Sequence, residues 1–112
     1  MFSTYRAEDV ELLLKDITGL VEPMGTRERE HAIQAGRHYC EMLPIEYEPT
    51  SPYLAAYEKA LTHYAPLVAA TVATAAEAVY RAKKKRPVLV SLARAGTPIG
   101  ILMKHYLKKR FG

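Results

Sequence analysis

The sequence predicts an α/β chain, mostly helical, with about five helices and one clear strand. Three observations carry this expectation. Pro87 to Leu92 is an almost unbroken apolar run between a basic cluster and a Gly/Pro turn, the pattern of a strand buried on both faces. Directly after it, Thr97-Pro98 opens an amphipathic segment, with Thr suited to an N-cap and Pro to the first helical position. Upstream, four segments place apolar residues at helical spacing between Gly and Pro stops.

In chain order, Met1 to Tyr5 reads as a short lead-in. A first helix is expected from about Ala7, with Val10, Leu13, Leu14 and Ile17 along one face and Thr18-Gly19 as its stop. Gly19 to Gly25, with Pro23 inside, is a loop. Thr26 caps a second helix running to about Met42 and ended by Pro44. Gly36 inside it costs about 1 kcal/mol relative to Ala, which hints at close packing. Pro44 to Pro52 is a loop. Ser51-Pro52 opens a third helix over Tyr53 to Tyr64, and Pro66 interrupts it because the residue before proline is pushed out of helical dihedrals. A fourth helix runs from Leu67 to about Lys84, burying Val68, Val72, Ala75, Ala76 and Val79. The strand follows. The fifth helix, Pro98 to about Arg110, turns Ile99, Leu102, Met103, Tyr106 and Leu107 inward.

Composition narrows the class. The 112 residues are 49% hydrophobic and 25% charged, ordinary for one small globular domain. A single cysteine excludes an internal disulfide and fits a reducing compartment. The longest apolar stretch, Leu67 to Tyr80, is too short and too polar to cross a bilayer, so a cytoplasmic protein without a membrane partner is expected. Charge is uneven: residues 1–60 carry 6 Lys/Arg against 11 Asp/Glu, and residues 61–112 carry 10 against 1. Such asymmetry can serve a binding or scaffold module that docks on an acidic partner. The cluster Arg81, Lys83, Lys84, Lys85 and Arg86 has no interleaved aromatics, which argues against nucleic acid and for a solvated helix end.

Two stretches carry candidate chemistry. Ser91-Leu92-Ala93-Arg94-Ala95-Gly96-Thr97 links strand to helix through small residues and one arginine. Backbone N–H groups of Ala95, Gly96 and Thr97 at the helix's positive end, with the fork of Arg94, suit a phosphate or pyrophosphate. The alternative, an ordinary turn with a surface arginine, stays open. The second stretch is Gly36-Arg37-His38-Tyr39-Cys40-Glu41, where Cys40 is the only thiol. Residues two apart on a helix point to different sides, so on the expected helix His38 is poorly placed as its base. The four histidines do not form a metal constellation.

Ser91 to Gly100 resembles the pyrophosphate-loop segment of phosphoribosyltransferase-like proteins. More closely, this segment, Tyr5-Arg6-Ala7-Glu8-Asp9-Val10, Leu12-Leu13-Leu14-Lys15 and Gly36 to Pro44 resemble a bacterial family of tellurite-resistance and stress-response gene clusters. Some of its members carry the name cysteine protease StiP. The resemblance implies a phosphoribosyltransferase-like parallel sheet whose further strands and phosphoribosyl-diphosphate loop lie downstream of Gly112. Residues 1–86 would form a helical amino-terminal region and 87–112 the start of that α/β core, catalytically silent as this piece. It implies a phosphorylated, nucleotide-type ligand bound through Ser91, Ala93, Arg94, Ala95, Gly96 and Thr97, with Arg37, His38 or Tyr39 nearby. Mg2+ would accompany the diphosphate on ligands outside this chain. Partners would be that small molecule and the remainder of the chain, with room for a homo-oligomer. Many members carry serine at the Cys40 position, which favours an inert cysteine. The alternative activity is a cysteine protease with Cys40 as nucleophile and His38 beside it.

Overall fold

The computed structural model describes residues 3–83 and 86–112. Among them are three α-helices and one two-stranded sheet, so the fold is mostly helical and the expected α/β architecture with about five helices is not observed. The described residues fall into two compact units, one of residues 13–50 and one of residues 3–12 with 51–112.

In the first unit, β1 (Pro23–Met24) pairs in parallel with β2 (Leu43–Pro44), with Pro23 opposite Leu43 and Met24 opposite Pro44. The pairing extends through Ile45 N–H donating to the Met24 carbonyl at 3.2 Å. Neither two-residue strand has an apolar run long enough to be read in the sequence. Between them, α1 spans Thr26–Gln34, with Gly25 rather than Thr26 at its N-cap. The helix stops well short of Met42. Gly36, at φ 93, takes a left-handed turn that a side chain resists. Its N–H donates to Ile33 O, and Arg37 N–H donates to Ala32 O, both at 2.9 Å. These paired bonds satisfy the last carbonyls and end the helix in a Schellman motif. Gly36 is therefore a terminator, not a mid-helix packing glycine. A 3-10 turn, Tyr39–Glu41, follows and leads to Met42, whose side chain is buried.

The second unit is built on α2 (Ser51–Lys83) and α3 (Gly96–Phe111), which pack on each other. The expected third and fourth helices are one. Pro66 lies inside α2 and its missing N–H removes a single bond from a 33-residue ladder. A proline costs about 3 kcal/mol in a helix interior, and the turns on both sides carry the chain through it. The expected end at Lys84 falls outside the described residues. Val72, Ala76 and Thr97 are buried at the helix pair. Tyr106 donates from its hydroxyl to Glu77 Oε1 at 2.6 Å, and Tyr80 stacks on Phe111 with centroids 3.9 Å apart.

Two further expectations fail. No helix forms over residues 7–17: a single turn from Arg6 to Asp9 is followed by irregular chain, and Leu13, Leu14 and Ile17 are exposed. An isolated helix of that length is marginal in water without a surface to bury its stripe. Nor is there a strand over Pro87 to Leu92. Val88, Val90 and Leu92 are 90%, 91% and 87% exposed, and that segment enters no sheet. A strand forms only where a neighbour accepts its backbone hydrogen bonds. No helix among the described residues is long and apolar enough to cross a membrane.

Candidate functional site

The early end of α1 decides the geometry around Cys40. Because the chain leaves the helix at Gly36, His38 adopts an extended backbone (φ −75, ψ 138) and caps the 3-10 turn that follows. Its imidazole then folds back over the turn. Nδ1 lies 2.9 Å from Cys40 Sγ, and the Cys40 backbone N–H donates to the same nitrogen at 3.4 Å. Nδ1 accepts both contacts only in the neutral tautomer that carries its proton on Nε2. In that tautomer the thiol is the donor and Nδ1 its acceptor. This is the arrangement a histidine needs to take a proton from a nucleophile. The expectation that two positions apart would separate His38 from Cys40 rested on a continuous helix, and it is overturned with that helix.

Cys40 is exposed, as is Tyr39, whose ring centroid lies 5.0 Å from that of His38. Arg37 is engaged within the unit. One terminal nitrogen donates to the Glu41 carbonyl at 3.2 Å, the other approaches Met24 Sδ at 3.8 Å, and Nε lies 3.8 Å from Glu41 Oε2. Its donors already serve the turn and β1.

In the other unit, the residues expected to hold phosphate meet the start of α3. The N-cap is Ala95, in helical dihedrals and without a side-chain cap, while Thr97 is inside the helix and buried. Thr97 is thus not the cap that the sequence suggests. Gly96 N–H donates to Leu92 O at 3.1 Å and Thr97 N–H to Arg94 O at 3.3 Å. Two of the three amides proposed for an anion are spent within the chain. Ser91, Ala93, Arg94 and Ala95 are exposed. Ser91 lies against α3, where a β-carbon on Gly100 would come within 2.1 Å of its hydroxyl. Among the described residues no three of His, Cys, Asp and Glu are grouped to hold a metal ion.

Two contacts have no signal in the sequence. His105 Nε2 and Asp9 Oδ1 lie 2.5 Å apart, and Lys104 donates to the carbonyls of Glu8 and Asp9. The His105 hydrogen bond is the largest cause holding the Asp9 carboxyl below its ordinary range. The Tyr106 hydroxyl likewise lowers Glu77, the single carboxylate side chain of residues 61–112, and is itself pushed up by it. Nearly a hundred residues separate the first pair, so no local spacing announces it.

Comparison with known proteins supplies the remaining constraint. The family described as tellurite-like stress resistance cysteine protease StiP matches residues 3–112. A curated relative, cysteine protease StiP of Acinetobacter baylyi, is 35% identical over 106 residues, 94% of this chain and 27% of that protein. The chain therefore spans about a quarter of the length of the curated relative it matches. No solved structure matches. These matches support the stress-resistance resemblance. They carry nothing of the phosphoribosyltransferase part.

Proposed function

The chain belongs to the StiP family, and from that premise we propose that it supplies the nucleophile and base of a stress-resistance cysteine protease, Cys40 and His38. The observation that supports this is the 2.9 Å approach of His38 Nδ1 to Cys40 Sγ. In the proposed reaction Nδ1 takes the thiol proton as sulfur attacks a peptide carbonyl carbon. A C–S bond forms and the carbonyl π pair moves to oxygen. On collapse the C–N bond breaks and the imidazolium returns the proton to the departing amine. Water then attacks the thioester, with Nδ1 taking its proton, and releases the acid and the thiol. The family's description names a cysteine protease, which is consistent with this reading.

The test is peptidase activity on a casein or fluorogenic peptide panel in the full-length protein. Cys40→Ser and His38→Ala should each lower the rate constant by roughly a hundredfold or more, the range expected for losing a positioned base or nucleophile. Undiminished activity in Cys40→Ser would remove this cysteine from the chemistry.

A second reading, a phosphoribosyl-diphosphate-type ligand at residues 91–97, has one observation in its favour. Arg94 is exposed beside the N-terminus of a 16-residue helix. The internal bonds of the Gly96 and Thr97 amides count against it. On that reading Mg2+ would accompany the diphosphate on ligands that lie outside these residues. Calorimetry with phosphoribosyl diphosphate separates the two readings: it should show no binding that Arg94→Ala removes.

A further inference from the structure

We propose that Arg37 is a positioning residue of the Cys40–His38 pair, an inference that rests on the thiol–imidazole reading. The relation of thiol to imidazole depends on a turn of three residues, Tyr39–Glu41, closed by two backbone bonds, Glu41 N–H to His38 O and Met42 N–H to Tyr39 O. Such a turn, exposed and short, does not hold a side-chain geometry by itself. Arg37 braces it from both ends. Its backbone is anchored by the Arg37 N–H bond to Ala32 O at the end of α1. Its guanidinium spans the turn to the Glu41 carbonyl at 3.2 Å and flanks the Glu41 carboxylate at 3.8 Å. The remaining nitrogen faces Met24 Sδ on β1. One planar group thus ties the residue before His38 to the residue after Cys40, and both to the sheet.

The chemistry of the fork is what this role requires. Two directions of N–H donation from one rigid plane fix an angle as well as a distance, which a lysine ammonium on a flexible stem does not. The charged and titratable groups beside the pair include Arg37, the Glu41 carboxylate and Tyr39, whose ring is tilted 32° to that of His38. A bystander cation would act on the thiol through charge alone, and a lysine would replace it. A brace would not be replaced. With the brace, Arg37 is committed to the protein rather than to a substrate, a different role from the ligand contact that the sequence suggests.

The readout is the alkylation rate of Cys40 by iodoacetamide between about pH 6 and 9, followed by peptide mass mapping. His38→Ala should slow alkylation near neutrality roughly tenfold, and Arg37→Gln roughly three- to tenfold, with the high-pH rates converging. Arg37→Lys should resemble Arg37→Gln. In the His38→Ala background, Arg37→Gln should add nothing, because the alignment it maintains is already gone. Wild-type rates in Arg37→Gln alongside a slowed His38→Ala would overturn the positioning role and leave the nucleophile pair standing. Full rescue by Arg37→Lys would overturn it in favour of charge. Wild-type rates in His38→Ala would overturn the pair itself. Helix content by circular dichroism should be retained in the Arg37 variants, since α2 and α3 lie in the other unit.

Discussion

At the scale of single residues, the contact between Asp9 and His105 shows how a long-range pair sets a pH window. The hydrogen bond lowers the Asp9 carboxyl from its ordinary 3.8. A depressed carboxylate contributes stability that is present above its ordinary value and lost as pH falls through the lowered one. Acidification from above that ordinary value through the lowered one should therefore release residues 3–12 from α3, whereas neutral pH leaves the contact made on the Asp9 side. Asp9→Asn at neutral pH should mimic the acid state, with faster amide exchange at Asp9 and Val10, whose N–H groups close the Arg6 turn. Unchanged exchange in that variant would mean that the two Lys104 bonds to the Glu8 and Asp9 carbonyls suffice. Cys40 and His38 belong to the same scale. Their proximity follows from the extended backbone of His38 and the 3-10 turn after it, with the Arg37 fork across that turn.

At the scale of elements, one glycine and one proline depart from the places the sequence reading gives them. Gly36 stops α1 because its positive φ lets two N–H groups bond back onto the helix. Gly36→Ala should destabilise the first unit by about 1–2 kcal/mol, the cost of placing a β-carbon in left-handed backbone. It should also slow Cys40 alkylation, because the chain would no longer enter the turn at His38. Urea unfolding together with the alkylation assay checks both halves. Pro66 does the opposite and fails to stop α2. Pro66→Ala restores the missing hydrogen bond and should raise the thermal midpoint of the second unit, by up to about 3 kcal/mol of helix stability. A midpoint that falls instead would mean that the ring makes contacts worth more than the bond.

At the scale of the whole molecule, the balance of surface and core is unusual. The chain leaves Leu13, Leu67, Val88, Val90 and Leu92 more than half exposed. Its buried apolar side chains among the described residues are Met42, Val72 and Ala76. Burial at about 25 cal/mol per Å² is the main term opposing chain entropy, and so little of it leaves a small margin. Differential scanning calorimetry of the 112-residue chain should show a shallow transition, well below the roughly 80 kcal/mol expected of a compact domain of this length. A sharp peak near that enthalpy would show that the exposed apolar residues are covered in solution.

The chain's own residues were enough to establish the helical bias, the approximate span of α3 and the apolar faces on which Val72 and Ala76 lie. These depend on interactions within a few positions, which periodicity and composition record. The end of α1, the continuity of α2 through Pro66, the absence of a strand at Pro87 to Leu92 and the pairing of β1 with β2 were decided only in three dimensions. The missing strand and the β1–β2 pairing turn on whether a backbone group finds a distant partner. The end of α1 turns on bonds back to Ala32 and Ile33 that the positive φ of Gly36 permits, and α2 on its own ladder to either side of Pro66. The same holds for the site: Cys40 and His38 could be named from the sequence, but a chain that leaves its helix four residues before the thiol is what brings sulfur and imidazole together.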